Sequence, residues 1–218
     1  PSVDADGKKQ RVERVTTIPH LVQIELAATA IVVTVLLLLA MFTPAPLEEL
    51  ANPNHPPNPA KAAWYFMGLQ ELLLHMHPLA AMLLPGIMLI AMAAIPYWDK
   101  NEDNIGLYFR STVGKQTAVI GALLGLIMIP LLVLIDEFWL DLPALLPNWP
   151  TLISNGLIPL LLSLAALLII YQLFRLLFRA NQSEALVGLF SFIVTSFIIL
   201  TLVGVYLRGA NMTLVLPF

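Results

Sequence analysis

Of the 218 residues, 59% are hydrophobic and only 11% are charged, and the mean hydropathy is +0.84. A water-soluble domain carries about 25% charged residues, so the composition excludes a soluble fold and implies an integral membrane protein. The absence of cysteine excludes disulfides, thiolate-held iron–sulfur clusters and thioether-linked haem in this chain. A net charge of -3 is too small to point to nucleic acid.

In chain order, residues 1–19 are polar and read as a cytoplasmic N-terminal tail, and residues 20–218 as a single membrane domain. Five segments are long and apolar enough to span: 21–43, 78–98, 116–136, 152–174 and 185–207. Each covers the ~30 Å hydrocarbon core at 1.5 Å rise per residue. The first is too long for a signal-peptide core, and no small-residue cleavage site follows it. Residues 44–77 join the first two spans. Their first part is proline-rich and should be an extended loop. The stretch 60–77, "AKAAWYFMGLQELLLHMH", suits a short helix lying at the interface. Pro78 opens the second span, and Pro85, Pro96, Pro130 and Pro159 are expected to bend or end their helices. Gly121 and Gly125 have the small-residue spacing of a close helix contact. Residues 136–150, "DEFWLDLPALLPNWP", read as an acidic outer loop with Trp139 and Trp149 in the headgroup belt. The expected fold is an all-α integral membrane protein of five transmembrane helices plus a short interfacial helix on the outer side.

Orientation follows from the basic residues. Lys8, Lys9, Arg11, Arg14, Lys100, Arg110, Lys115, Arg175 and Arg179 fall on one side, leaving Lys61 and Arg208 on the other. The positive-inside rule makes the first group cytoplasmic, so the N-terminus lies inside and the C-terminus outside.

The predicted spans contain almost no ionisable residues, Glu25 near the cytoplasmic end of the first being the exception. Channels, pumps and transporters place costly charges at mid-membrane, and inverted repeats are not visible here, so chemistry is expected at a membrane surface. Haem is a poor fit. The histidines, His20, His55, His75 and His77, lie at span ends or in loops, and His75 and His77 point to different helix faces. No metal site is predicted. On the wheel of 60–77, Trp64, Gly68, Glu71 and His75 share one stripe, beside a second stripe of Tyr65, Leu69, Leu72 and Met76. Gly68 leaves room for a flat ring to approach the backbone. A surface helix without chemistry would also show a polar face and belt aromatics.

The stretch "APLEELANPNHPPNPAKAAWYFMGLQELL" resembles the quinol-oxidation loop in the C-terminal part of cytochrome b. The resemblance is to subunit IV of chloroplast-type complexes and its relatives in bacterial menaquinol–cytochrome c reductases. Trp64-Tyr65-Phe66 match the end of the family's Pro-Glu-Trp-Tyr-Phe, and "IPYWDKN" and "TLVGVYLRGANMTLVLPF" resemble later parts. The likeness covers residues 20–110 and 185–218; residues 116–174 have no counterpart in the three-helix form. It implies a membrane subunit of a quinol:cytochrome c, or other high-potential acceptor, oxidoreductase in a bacterial inner membrane, not catalytic alone. Trp64, Tyr65, Phe66 and Leu72 would shape a quinol pocket, menaquinol being the expected ligand. His20 and Glu25 would lie near the cytoplasmic quinone-reducing side, although ordinary interfacial solvation is the simpler account of both. The b-type haems would sit in a four-helix cytochrome b partner and the iron–sulfur cluster in a Rieske partner. A c-type cytochrome would take the electrons, and the complex would be dimeric.

The family's glutamate aligns with Ala63, which cannot accept a proton. Glu71 is then the candidate proton acceptor and His75, four residues on, the candidate relay, with burial expected to raise the Glu71 pKa. Arg208 reads as a residue that snorkels to the surface or pairs with a partner. The rival readings are a quinone-binding anchor of another respiratory oxidoreductase and a structural membrane subunit without quinone.

Overall fold

The computed structural model describes residues 16–43, 50, 52, 54, 57–98 and 111–215. Lys8, Lys9, Arg11, Arg14, Lys100 and Arg110 lie outside them, as do His55 and the Pro46-Leu47-Glu48 part of the proline-rich loop. Five helices are long and apolar enough to cross a membrane: Thr17–Phe42, Pro78–Trp98, Thr112–Phe138, Ile153–Leu177 and Gln182–Leu207. Among the described residues there is no strand, only an isolated bridge between Arg208 and Leu214. The chain is an all-α, multi-pass membrane protein.

Contacts divide the chain into two compact units, Pro1–His55 and Pro56–Phe218. The first contributes a wide turn, Thr17–Leu21, running into α1, Val22–Phe42. All its described side chains are exposed, as suits a helix apolar on every side and solvated by lipid. His20 and Glu25 belong to this unit; the His20 Nδ1 lies 2.8 Å from the Thr16 hydroxyl.

The second unit begins with a tight turn, Trp64–Phe66, that continues into α2, Met67–His75. The long helices are α3, Pro78–Trp98, and α4, Thr112–Phe138. A short α5, Leu142–Leu145, precedes a wide turn, Ile153–Leu157, and α6, Ile158–Leu177. The chain then forms α7, Gln182–Leu202, extended by a wide turn to Leu207. The third span is longer than expected at both ends. Ser111 caps it, its hydroxyl accepting from Gly114 N–H at 3.2 Å, and Asp136 and Glu137 belong to its last turn rather than to a loop. Pro85, Pro96 and Pro130 sit inside their helices without ending them, whereas Pro159 falls in the first turn of α6.

Packing centres on α7. Gly121 and Gly125 of α4 lie against the backbone of Gly188 and Phe192 of α7, so closely that an added Cβ would collide with main-chain oxygen. The glycine spacing is thus a helix contact, and dispersion between touching backbones is what holds helices together in lipid. Deeper hydroxyls are satisfied: buried Thr117 donates to the Gly114 and Glu184 carbonyls at 3.0 and 2.8 Å. Glu184 also completes a capping box with Asn181 and bonds the Ser111 hydroxyl, which ties the starts of α4 and α7 together. On the far side of the bundle, Met76, Ala80, Ala81, Leu84 and Leu160 pack α2 and α3 onto α6. Proline supplies the polar part of that contact. Pro159 leaves the Asn155 carbonyl without its helical donor, and His77 N–H fills the vacancy at 2.7 Å.

Candidate functional site

Residues 57–75 are fastened to the end of α7 by side chains. Asn58 and Asn211 exchange two bonds, Nδ2 to Oδ1 at 2.8 Å and Asn211 N–H to Asn58 Oδ1 at 2.6 Å. Asn211 sits at φ 56, a left-handed conformation that asparagine tolerates better than most residues. The Lys61 ammonium donates to the Val205 carbonyl at 2.8 Å, where a helix C-terminus favours a cation. Gln70 reaches back along its own segment, accepting from Ala62 N–H at 2.6 Å and donating to the Ala60 carbonyl at 2.8 Å.

These ties present three successive rings outward. Trp64 is 71% exposed and Tyr65 and Phe66 each 55%. Trp64 and Tyr65 meet edge to face at 5.7 Å, and Tyr65 and Phe66 are tilted at 4.8 Å. Because 64–66 is a tight turn and not α-helix, Trp64 does not continue the buried stripe of Gly68 and Glu71. The ring that approaches Gly68 belongs to the chain itself: an added Cβ would meet Thr201 Oγ1 at 2.7 Å and Phe197 at 2.9 Å. Leu72 is partly buried against the α2–α3–α6 core and does not join the three rings on the exposed surface.

One turn further on, α2 carries a buried ionic cluster. Glu71 is fully buried and grips the Arg208 guanidinium, with Nε at 3.0 Å from both carboxylate oxygens and Nη2 at 2.5 Å from Oε1. Arg208 Nη1 donates to Glu137 Oε2 at 2.8 Å and to the Met212 carbonyl at 2.9 Å. His75 Nε2 lies 3.1 Å from Glu71 Oε1, and its Nδ1 lies 2.6 Å from Asp136 Oδ2. The cluster therefore gathers the last turn of α4, the middle of α2 and the segment after α7. Arg208 is buried and paired within its own chain, not snorkelling, because two carboxylates, Glu71 and Glu137, converge on it and lipid offers no alternative partner.

The charges set one another. Burial pushes the Glu71 carboxyl up, but the hydrogen bonds from His75 and Arg208 outweigh it and hold the group below the ordinary carboxylate value. The expected rise does not occur. For His75 burial opposes the charged form, yet Asp136 and Glu71 prevail and push it up to about 9. Arg208 is likewise raised by Glu71 and Glu137 against the cost of burial. At neutral pH the resting cluster is a carboxylate, an imidazolium and a guanidinium held between two further acids.

Of the residues singled out by sequence, Trp64, Tyr65 and Phe66 form one outward patch, and Glu71 and His75 touch through the expected i,i+4 spacing. His20 and Glu25 belong to the other unit. Asp136, Glu137 and Arg208 were not foreseen as members of the cluster. Their one sequence signal is that Arg208 is a cation standing alone at the end of an apolar run. Among the described residues, no group of three or more histidines and acids is placed to hold a metal. Comparison with known proteins returns no match: no family model fits the chain, and no curated protein and no solved structure is similar to it.

Proposed function

We propose that this chain is the C-terminal, cytochrome b-like subunit of a quinol-oxidising complex of a bacterial cytoplasmic membrane, supplying part of the outer-side quinol pocket. The observation that carries the proposal is the aromatic turn at 64–66, with three rings uncovered on the same short segment that carries Glu71 and His75. A quinol needs flat apolar walls for its ring and a base for the two protons that oxidation releases. Trp64, Tyr65 and Phe66 supply the first in this reading, and the cluster at Glu71 and His75 supplies the second. Their exposure fits a pocket shared with a partner, which would close over the rings. The haem-bearing cytochrome b, the Rieske protein and the c-type cytochrome are the proposed partners, with menaquinol as the proposed substrate. The N-terminus lies in the cytoplasm in this reading, and the aromatic turn on the outer face.

Mild-detergent purification of the chain from its native membrane tests the reading. It should bring b-type haem, seen in the visible spectrum, together with an iron–sulfur subunit. Tyr65→Ala in that complex should slow quinol oxidation or raise KM while assembly persists. A chain that purifies without haem or iron–sulfur partner overturns the proposal. The second reading, a structural subunit without quinone, is favoured by one observation. All three guanidinium nitrogens of Arg208 donate to acceptors within the chain, as in a purely structural clamp.

A further inference from the structure

His75 Nε2 has two neighbours of opposite hydrogen-bonding character. Glu71 Oε1, at 3.1 Å, can only accept; Arg208 Nη2, at 3.4 Å, can only donate. Nδ1 faces a single partner, Asp136 Oδ2 at 2.6 Å, which accepts whenever it is ionised. A charged imidazole therefore donates from Nε2 to Glu71. A neutral one keeps its proton on Nδ1, against Asp136, and its bare Nε2 accepts from Arg208. Neither state leaves a ring nitrogen without a partner. A purely structural histidine has no need of a partner for its second state.

We infer that His75 is the proton-holding group of this cluster, charging and discharging at Nε2, and that Asp136 is the positioning residue that keeps Nδ1 protonated and fixes the tautomer. Glu71 and Arg208 stay ionised throughout as the two alternative partners. The groups facing the ring are Glu71 from its own helix, Asp136 from α4 and Arg208 from the segment after α7, with Glu137 of α4 acting through Arg208. When Nε2 takes a proton, an N–H bond forms and the cluster gains one positive charge. Its release gives the proton to water, breaks that bond and restores the lone pair to the contact with Arg208. The half-buried Asp136 lies on the more open side of the ring, since its side chain is 33% exposed against 12% for His75 and 0% for Glu71. His75 rests charged at neutral pH, so it can take a proton from quinol only after giving up the one it holds; that role rests on the function proposed above, and the proton site itself does not.

Nitrogen-15 NMR of histidine-labelled full-length chain in lipid nanodiscs tests it, with the His75 signals assigned by their loss in His75→Gln. His75 should be doubly protonated at pH 7 and should lose a proton as pH rises through about 9. The nitrogen that loses it should be Nε2. Asp136→Asn keeps a carbonyl oxygen for Nδ1 but removes the charge. It should retain the tautomer while the midpoint moves to lower pH, the proton concentration at half-protonation rising at least tenfold. A neutral His75 at pH 7, loss of the Nδ1 proton instead, or an unmoved midpoint in Asp136→Asn would each overturn the inference. In the assembled complex, the pH profile of kcat for quinol oxidation should shift with the same variant, at unchanged KM. A shifted NMR midpoint with an unshifted kcat profile would keep the proton site and remove its role toward quinol. Absence of any quinol oxidation in the wild-type complex would instead remove the functional reading alone.

Discussion

Removing the charge from Glu71 leaves the Arg208 guanidinium buried with Glu137 as its remaining carboxylate partner. Breaking one side of a buried ion pair costs about 3–5 kcal/mol, so Glu71→Gln should lower the melting temperature markedly, measured by thermal unfolding in detergent. Tyr65→Ala, on an exposed turn, should stay within about 0.5 kcal/mol of the parent in the same assay. A loss of quinol oxidation in Tyr65→Ala would then be a loss of site and not of fold. The two cases also show what could be read in advance. Glu71 and His75 are four apart on one helix, and that spacing forecasts their contact. Arg208 lies 137 positions from Glu71, and Asp136 lies 61 from His75. Nothing local marks such pairings, so the acids of α4 read as loop residues and the arginine as a surface cation. The sign of the Glu71 shift went the same way, because burial is visible in the hydrophobic neighbours and the opposing cation is not.

Helices were easier to read than side-chain roles, since length and hydropathy decide a span without knowledge of its neighbours. The glycines show how contact adds to this. Gly121→Leu would drive a branched side chain into the Gly188 backbone and should separate α4 from α7, seen as loss of folded protein in a detergent stability assay. Gly86, also inside a helix, has nothing near its missing Cβ. Gly86→Ala should therefore stabilise α3 by about 0.5–1 kcal/mol. Identical residues in similar apolar runs thus have opposite tolerances, set by which helix lies across. The tight turn at Trp64–Phe66 is the element that sequence periodicity misplaced: a helical wheel begun at residue 60 carries Trp64 onto the buried face, whereas the turn rotates it outward.

For the whole molecule, His75 and Glu71 make stability depend on pH with opposite signs. A raised histidine pKa contributes stability that is fully present below its unfolded value of 6.5 and is lost as pH climbs through about 9. A lowered carboxyl pKa contributes stability that is present above its unfolded value of 4.5 and is lost as pH falls through the depressed value. Melting temperature should therefore be greatest between those two unfolded values and decline on the alkaline side, and His75→Gln should flatten that alkaline decline. Topology is tested separately in a chain that has no cysteine of its own. An impermeant thiol reagent applied to intact cells should label Leu145→Cys and spare Asn104→Cys, the reverse pattern overturning the proposed orientation. The Glu71–Arg208 pair also has a consequence in time. At about 5–20 residues per second, the ribosome delivers the arginine roughly 7–27 s after the glutamate, 137 residues earlier. Throughout that interval Glu71 lacks its guanidinium partner, and the cluster can close only once the chain has been made as far as Arg208. A chain released before residue 208 keeps Glu71 without its arginine, and pulse-chase labelling should find such fragments degraded faster than the finished chain.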